Sequence, residues 1–99
     1  MNKIVIADHA SRKYKINECL LSLPVAEYRA ALRFLPKYLG ISLHTFHNYR
    51  NILLNDTQDI PHEKVVVMEK LFELKPGELC NKMIYVKTLK EFLQEGNRH

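Results

Sequence analysis

The chain is poor in cysteine and glycine, and it contains no long apolar run. Its two cysteines, Cys19 and Cys80, lie far apart with no Cys-x-x-Cys pair, which argues against a disulfide scaffold and a cysteine-based zinc site. A membrane span needs roughly 20 consecutive apolar residues, and none of that length occurs. The opening MNKIVIADHASRK lacks the apolar core and cleavage site of a signal peptide. Repeats and low-complexity tracts are missing too. No nucleophile–base pair, glycine-rich phosphate loop or carboxylate pair stands out, so the expectation is no enzyme and no cofactor.

What remains is one small domain's worth of chain: 99 residues, 46% apolar and 26% charged, the balance of a soluble globular fold. The formal charge of +4 is unevenly spread. Residues 1–50 carry eight Lys/Arg against three Asp/Glu, whereas residues 51–99 carry seven against eight. A basic first half admits nucleic acid as a partner.

Hydrophobic spacing divides the chain into an arm over 1–13, a helical domain over 14–82 and a C-terminal amphipathic helix with tail over 83–99. The arm mixes a β-prone run, Ile4-Val5-Ile6-Ala7, with polar residues, and is expected to be loose or to pair with a partner strand. Ile16, Cys19, Leu20 and Leu23 fall at i, i+3, i+4, i+7, one stripe of a short helix. From Pro24, the positions Val25, Tyr28, Leu32, Leu35 and Leu39 continue helical spacing. Pro36 interrupts it by removing a backbone donor, so a helix is expected to end near Arg33 and restart at Pro36. Gly40 ends the segment, glycine tolerating the left-handed conformation that closes a helix.

Ser42 is a natural N-cap for the next helix. Over Leu43 to Leu53, Phe46, Tyr49 and Leu53 share one side at 100° per residue, while His44, His47, Asn48 and Asn51 share the other. One face is built for packing, the other for hydrogen bonding. After the polar loop 55–59, Ile60-Pro61 opens a helix with Val65, Met68, Leu71 and Phe72 as its core stripe. Lys75-Pro76-Gly77-Glu78-Leu79 is a break and a short turn. Tyr85, Val86, Leu89, Phe92 and Leu93 then form a final amphipathic helix ended by Gly96, expected either to cap its own core or to contact a second copy. The sum is about six helices with short connections, an all-α domain.

Two stretches in register carry a family resemblance. Leu39-Gly40-Ile41-Ser42, Thr45-Phe46 and Tyr49-Arg50-Asn51 resemble the turn and recognition helix of the lambda-repressor-like, Cro-type (xenobiotic-response-element) helix-turn-helix family. Downstream, Ile60-Pro61, Glu63-Lys64-Val65, Lys70-Leu71-Phe72 and Leu74-Lys75-Pro76-Gly77-Glu78-Leu79 are similar to its fourth helix and the start of its fifth. The resemblance covers roughly residues 32–80. It implies a compact five-helix domain, here with an extra C-terminal helix, of a cytoplasmic prokaryotic or phage regulator that binds duplex DNA. The third helix, about 42–51, would enter the major groove. The resemblance assigns base contacts to Leu43, His44 and Asn48, and phosphate contacts or turn bracing to Ser42, His47 and Asn51.

That chemistry is sound. Asn bonds bidentately to adenine, neutral His donates to guanine, and Leu packs on a thymine methyl. Arg29, Arg33, Lys37 and Arg50 are the natural phosphate ligands. The chain also departs from the family pattern. Ala31 and Leu32 stand where a Thr-Gln or Ser-Gln pair opens the second helix, Pro36 replaces a small residue, and Glu73 replaces a glycine late in helix four. The missing helix-two anchor and a recognition helix with only one Arg and no Lys favour a second hypothesis: a protein-interaction module of the same fold, antitoxin-like or an assembly partner, that has lost DNA binding.

Blander explanations weigh against several signals. His44 and His47 have metal-chelating spacing, but no Asp, Glu or Cys joins them on that helix, so a solvated or DNA-facing pair is preferred to zinc. Phe46 and Tyr49 lie on the packing stripe and are core residues before they are base-stacking ones. Cys19 and Cys80 are most simply small buried apolar groups.

Overall fold

A computed structural model describes residues 11–82 and 84–96. The expected Ile4–Ala7 segment and the rest of residues 1–10 lie outside the described residues. Five helices follow one another: α1 (Ile16–Leu21), α2 (Val25–Leu39), α3 (Leu43–Arg50), α4 (His62–Leu71) and α5 (Leu89–Gly96). Among the described residues there is no strand beyond two isolated bridges, so the protein is all-α. None of these helices is long and apolar enough to cross a membrane.

α2 runs unbroken through Pro36, against the expected break. Pro36 lies one turn before the helix end, where its missing N–H costs only the bond to the Leu32 carbonyl, and its ring is buried. Its own carbonyl accepts from the Ile41 N–H at 2.9 Å, while Gly40 N–H reaches Lys37 O at 3.1 Å. With Gly40 at φ 72°, this pair of bonds is a Schellman termination.

α4 ends the same way on a residue less suited to it. Glu73 has φ 60°, the one non-glycine with positive φ among the described residues. Leu74 N–H bonds Glu69 O at 2.7 Å and Glu73 N–H bonds Lys70 O at 3.2 Å. The glycine implied at this position by the resemblance is the residue this backbone favours.

Between the helices, residues 11–15 form the middle of a small ribbon. Lys13 N–H bonds Ile52 O at 2.9 Å on one side, and on the other Lys15 N–H bonds Leu79 O at 2.7 Å while Asn81 N–H bonds Lys13 O at 2.8 Å. Residues 11–13, grouped with the arm on sequence grounds, are thus threaded into the body. Lys13 is only 7% exposed. Its ammonium donates all three protons, to Asp56 O (2.7 Å), Gln58 O (2.8 Å) and Asp59 Oδ1 (2.7 Å). That hydrogen bond and charge hold the Asp59 carboxyl below the usual carboxylate range.

The core joins Ile16 and Leu20 of α1, Leu35 and Leu39 of α2, Phe46 and Tyr49 of α3, Val65 and Met68 of α4, and the loop residues Tyr14, Ile52, Ile60 and Leu79. Tyr14 is buried with its hydroxyl accepting the Ile60 N–H at 3.1 Å, and burial raises its phenol. Burial likewise raises the thiols of Cys19 and Cys80, both packed against the core.

Several stripe positions are corrected. Val25 is exposed because it opens α2 beyond the core, and Leu71 is exposed at the end of α4. Leu53 is also exposed: α3 stops at Arg50, and the extended backbone beyond it turns Ile52 inward instead. Glu69 takes an unexpected buried place, Oε2 accepting from Gly77 N–H at 2.8 Å and Leu79 N–H at 3.1 Å.

The last helix starts at Leu89, so Tyr85 and Val86 lie in the irregular lead-in rather than on it. A capping box fixes that start. Thr88 Oγ1 accepts from Glu91 N–H at 3.1 Å, and Glu91 Oε1 accepts from Thr88 N–H at 2.9 Å. Nothing in α5 is buried, so it does not cap its own core.

Candidate nucleic-acid interface

The three-residue turn Gly40–Ser42 joins α2 to α3 and sets how α3 is presented. Ser42 caps α3, its Oγ accepting the Thr45 N–H at 3.0 Å. Phe46 and Tyr49 anchor the inner face against the core. His44, Asn48 and Asn51 consequently face solvent, as their angular positions predict, and Leu43 is also 50% exposed, whereas His47, expected in the same outward group, is half-buried. A helix fixed at one end by a turn and along one side by two aromatics holds these side chains in a defined row.

His47 and Arg50 are half-buried and differ in kind from that row. Arg50 Nε donates to Asn17 Oδ1 at 2.7 Å and Nη1 lies 3.2 Å from His47 Nδ1. Nη2 makes a longer contact of 3.5 Å with the Tyr28 hydroxyl. Arg50 therefore ties α3 to α1 and α2, with its donors turned largely to protein groups. Because guanidinium only donates, a neutral His47 accepts at Nδ1 and carries its proton on Nε2, which makes Nε2–H its remaining donor. Asn51 closes the helix, Nδ2 donating to His47 O at 2.9 Å while Oδ1 accepts from Arg12 Nη2 at 3.2 Å. Sequence reasoning missed Asn17, Tyr28 and Arg12 as supports, because each lies far from α3 along the chain.

Arg29, Arg33 and Lys37 follow one another at i, i+4, i+8 along a flank of α2, all exposed. On the next flank Phe34 and Tyr38 stack with ring centroids 5.2 Å apart. The cationic ridge and the row on α3 belong to the two helices joined by the turn. Ala31 and Leu32 lie inside α2, which begins six residues earlier at Val25. The first turn of that helix, whose N–H groups lack an intrahelical partner, is therefore at Val25–Glu27 rather than where the resemblance puts a phosphate anchor, the Tyr28 N–H already bonding Pro24 O at 2.8 Å.

Among the described residues no group of three or more His, Cys, Asp or Glu is placed to hold a metal ion. The chain matches no known family model, no curated protein and no solved structure.

Proposed function

We propose that this protein binds duplex DNA with sequence preference, α3 entering the major groove, and acts as a transcriptional regulator in a prokaryotic or phage setting. The observation that carries this reading is the outward row Leu43, His44 and Asn48 on a helix capped by Ser42 and anchored by Phe46 and Tyr49. These side chains offer an apolar contact, a donor and a bidentate amide, the set used to read base edges. Arg29, Arg33 and Lys37 supply the sequence-independent attraction, with Ser42, His47 and Asn51 at the helix ends completing the backbone contacts and Arg50 acting chiefly as the brace.

Fluorescence anisotropy on mixed duplex fragments across a salt series tests this. Three phosphates neutralised by the α2 ridge give a slope of about −2.7 in log affinity against log salt, an affinity loss of about 40-fold between roughly 50 and 200 mM. No binding at low salt overturns the proposal. The second reading, a protein-interaction module, is favoured by Ala31 and Leu32, which lie inside α2 in place of the Thr-Gln or Ser-Gln pair that the resemblance implies at a helix start. That reading is supported if the protein binds no duplex yet retains its full thermal stability.

A further inference from the structure

α5 raises a thermodynamic question. It has eight residues, fewer than the roughly 12–15 at which an isolated helix becomes even marginal in water. Yet the sequence specifies it, closing its start with the Thr88–Glu91 capping box. Helices this short persist by packing an apolar face, and α5 has one in Leu89, Phe92 and Leu93 at i, i+3, i+4. Ile84 and Val86 continue the apolar run ahead of it. None of these side chains is buried or packed against the core, and Leu89 remains 73% exposed.

We infer that this face is covered by the same face of a second copy, packed antiparallel about a two-fold axis. Its size suits that occupant. Side chains of this bulk, mostly exposed, offer on the order of 600–800 Å², close to one partner's share of a standard specific interface. Its charge selects both occupant and direction. Residues 84–96 carry two lysines and two glutamates, so identical segments do not repel through net charge and a strongly acidic or basic partner finds nothing to match. The cations come first, Lys87 and Lys90, and the anions follow, Glu91 and Glu95. A surface that meets itself must be self-complementary. Antiparallel order sets the cationic end of each copy beside the anionic end of the other, whereas parallel order sets like beside like. Within one chain Lys87 pairs with Glu95 and overlies the Phe92 ring at 5.9 Å. Both partners of that pair are half-exposed, so exchanging it across an interface costs little.

The inference stands apart from DNA binding, because its test reads mass. Sedimentation equilibrium of the full chain from micromolar to submillimolar concentration should approach twice the 11.7 kDa of one chain. L89E/L93E should raise the dimer dissociation constant more than tenfold while leaving the thermal unfolding of the core unchanged. K87E/K90E and Q94K/E95K should each dimerise poorly alone, and their equimolar mixture should recover the native affinity. A single-chain mass at every concentration, or a dimer undisturbed by L89E/L93E, overturns the inference. A mixture that pairs no better than its components overturns the antiparallel order.

Discussion

Arg50 is bonded to Asn17 across the junction of α3 and α1, Nε to Oδ1 at 2.7 Å. A cation first assigned to phosphate on sequence grounds is thus also a structural tie. Arg50→Ala should therefore lower stability by roughly 1–3 kcal/mol, the range for losing hydrogen bonds to a charged group. Urea unfolding of Arg50→Ala, Asn17→Ala and the double variant checks it. Losses that add fully would show that the two side chains do not interact.

Asn48 is exposed with its amide aimed away from the core, so Asn48→Ala should leave stability within about 0.5 kcal/mol. It should nevertheless cost on the order of 1–3 kcal/mol of discrimination at one base pair of a selected duplex. Arg33→Ala should weaken all duplexes alike and reduce the salt slope by about 1. Selection from random duplexes, followed by anisotropy with each variant, separates the two roles.

Glu73 holds φ 60° at the end of α4. A left-handed residue with a Cβ costs roughly 1–2 kcal/mol, which glycine does not incur. Glu73→Gly should therefore stabilise the protein by about 1 kcal/mol, after the extra chain entropy of glycine is subtracted. The thermal midpoint should rise. Gly40→Ala, at φ 72°, should shift it the other way.

Lys13 lowers the Asp59 carboxyl. A carboxylate whose pKa is depressed by folding stabilises the fold above its unfolded value of about 3.9, and that contribution is lost as the pH falls through the lower folded value. Acid titration of stability should therefore show a loss below about pH 5, and the loss should be smaller in Asp59→Asn. Equal acid dependence in both proteins would mean that the ion pair does not contribute.

Local signals made the centre of the molecule legible. Gly40, Ser42 and the spacing of Phe46 and Tyr49 act within a few residues, and they placed α3, its packing face and the exposed His44, Asn48 and Asn51, while His47 is drawn half inward by its contact with Arg50. The break expected at Pro36 failed because a proline one turn from a helix end forfeits a single bond, a cost that burial of its ring offsets. Lys13 and Glu69 could not be found this way. Each is buried because of groups that only the folded chain brings near: three acceptors beyond residue 55 for Lys13, and the backbone of the 77–79 turn for Glu69. Val25 and Leu71 show the converse, apolar residues at helical spacing that lie beyond the reach of the core.

The ribbon built around residues 11–15 also sets the order in which the chain can fold. Its middle segment is synthesised well before one flank, 79–81, with which it pairs. Until that flank has left the ribosome, Lys15 N–H and the Lys13 carbonyl lack their partners, and Tyr14 lacks its bridge to Cys80. Closing so long a loop delays the fold until most contacts can form together. The basic first half is therefore released as an incomplete nascent chain, and truncation before residue 79 should abolish cooperative folding rather than trim a tail.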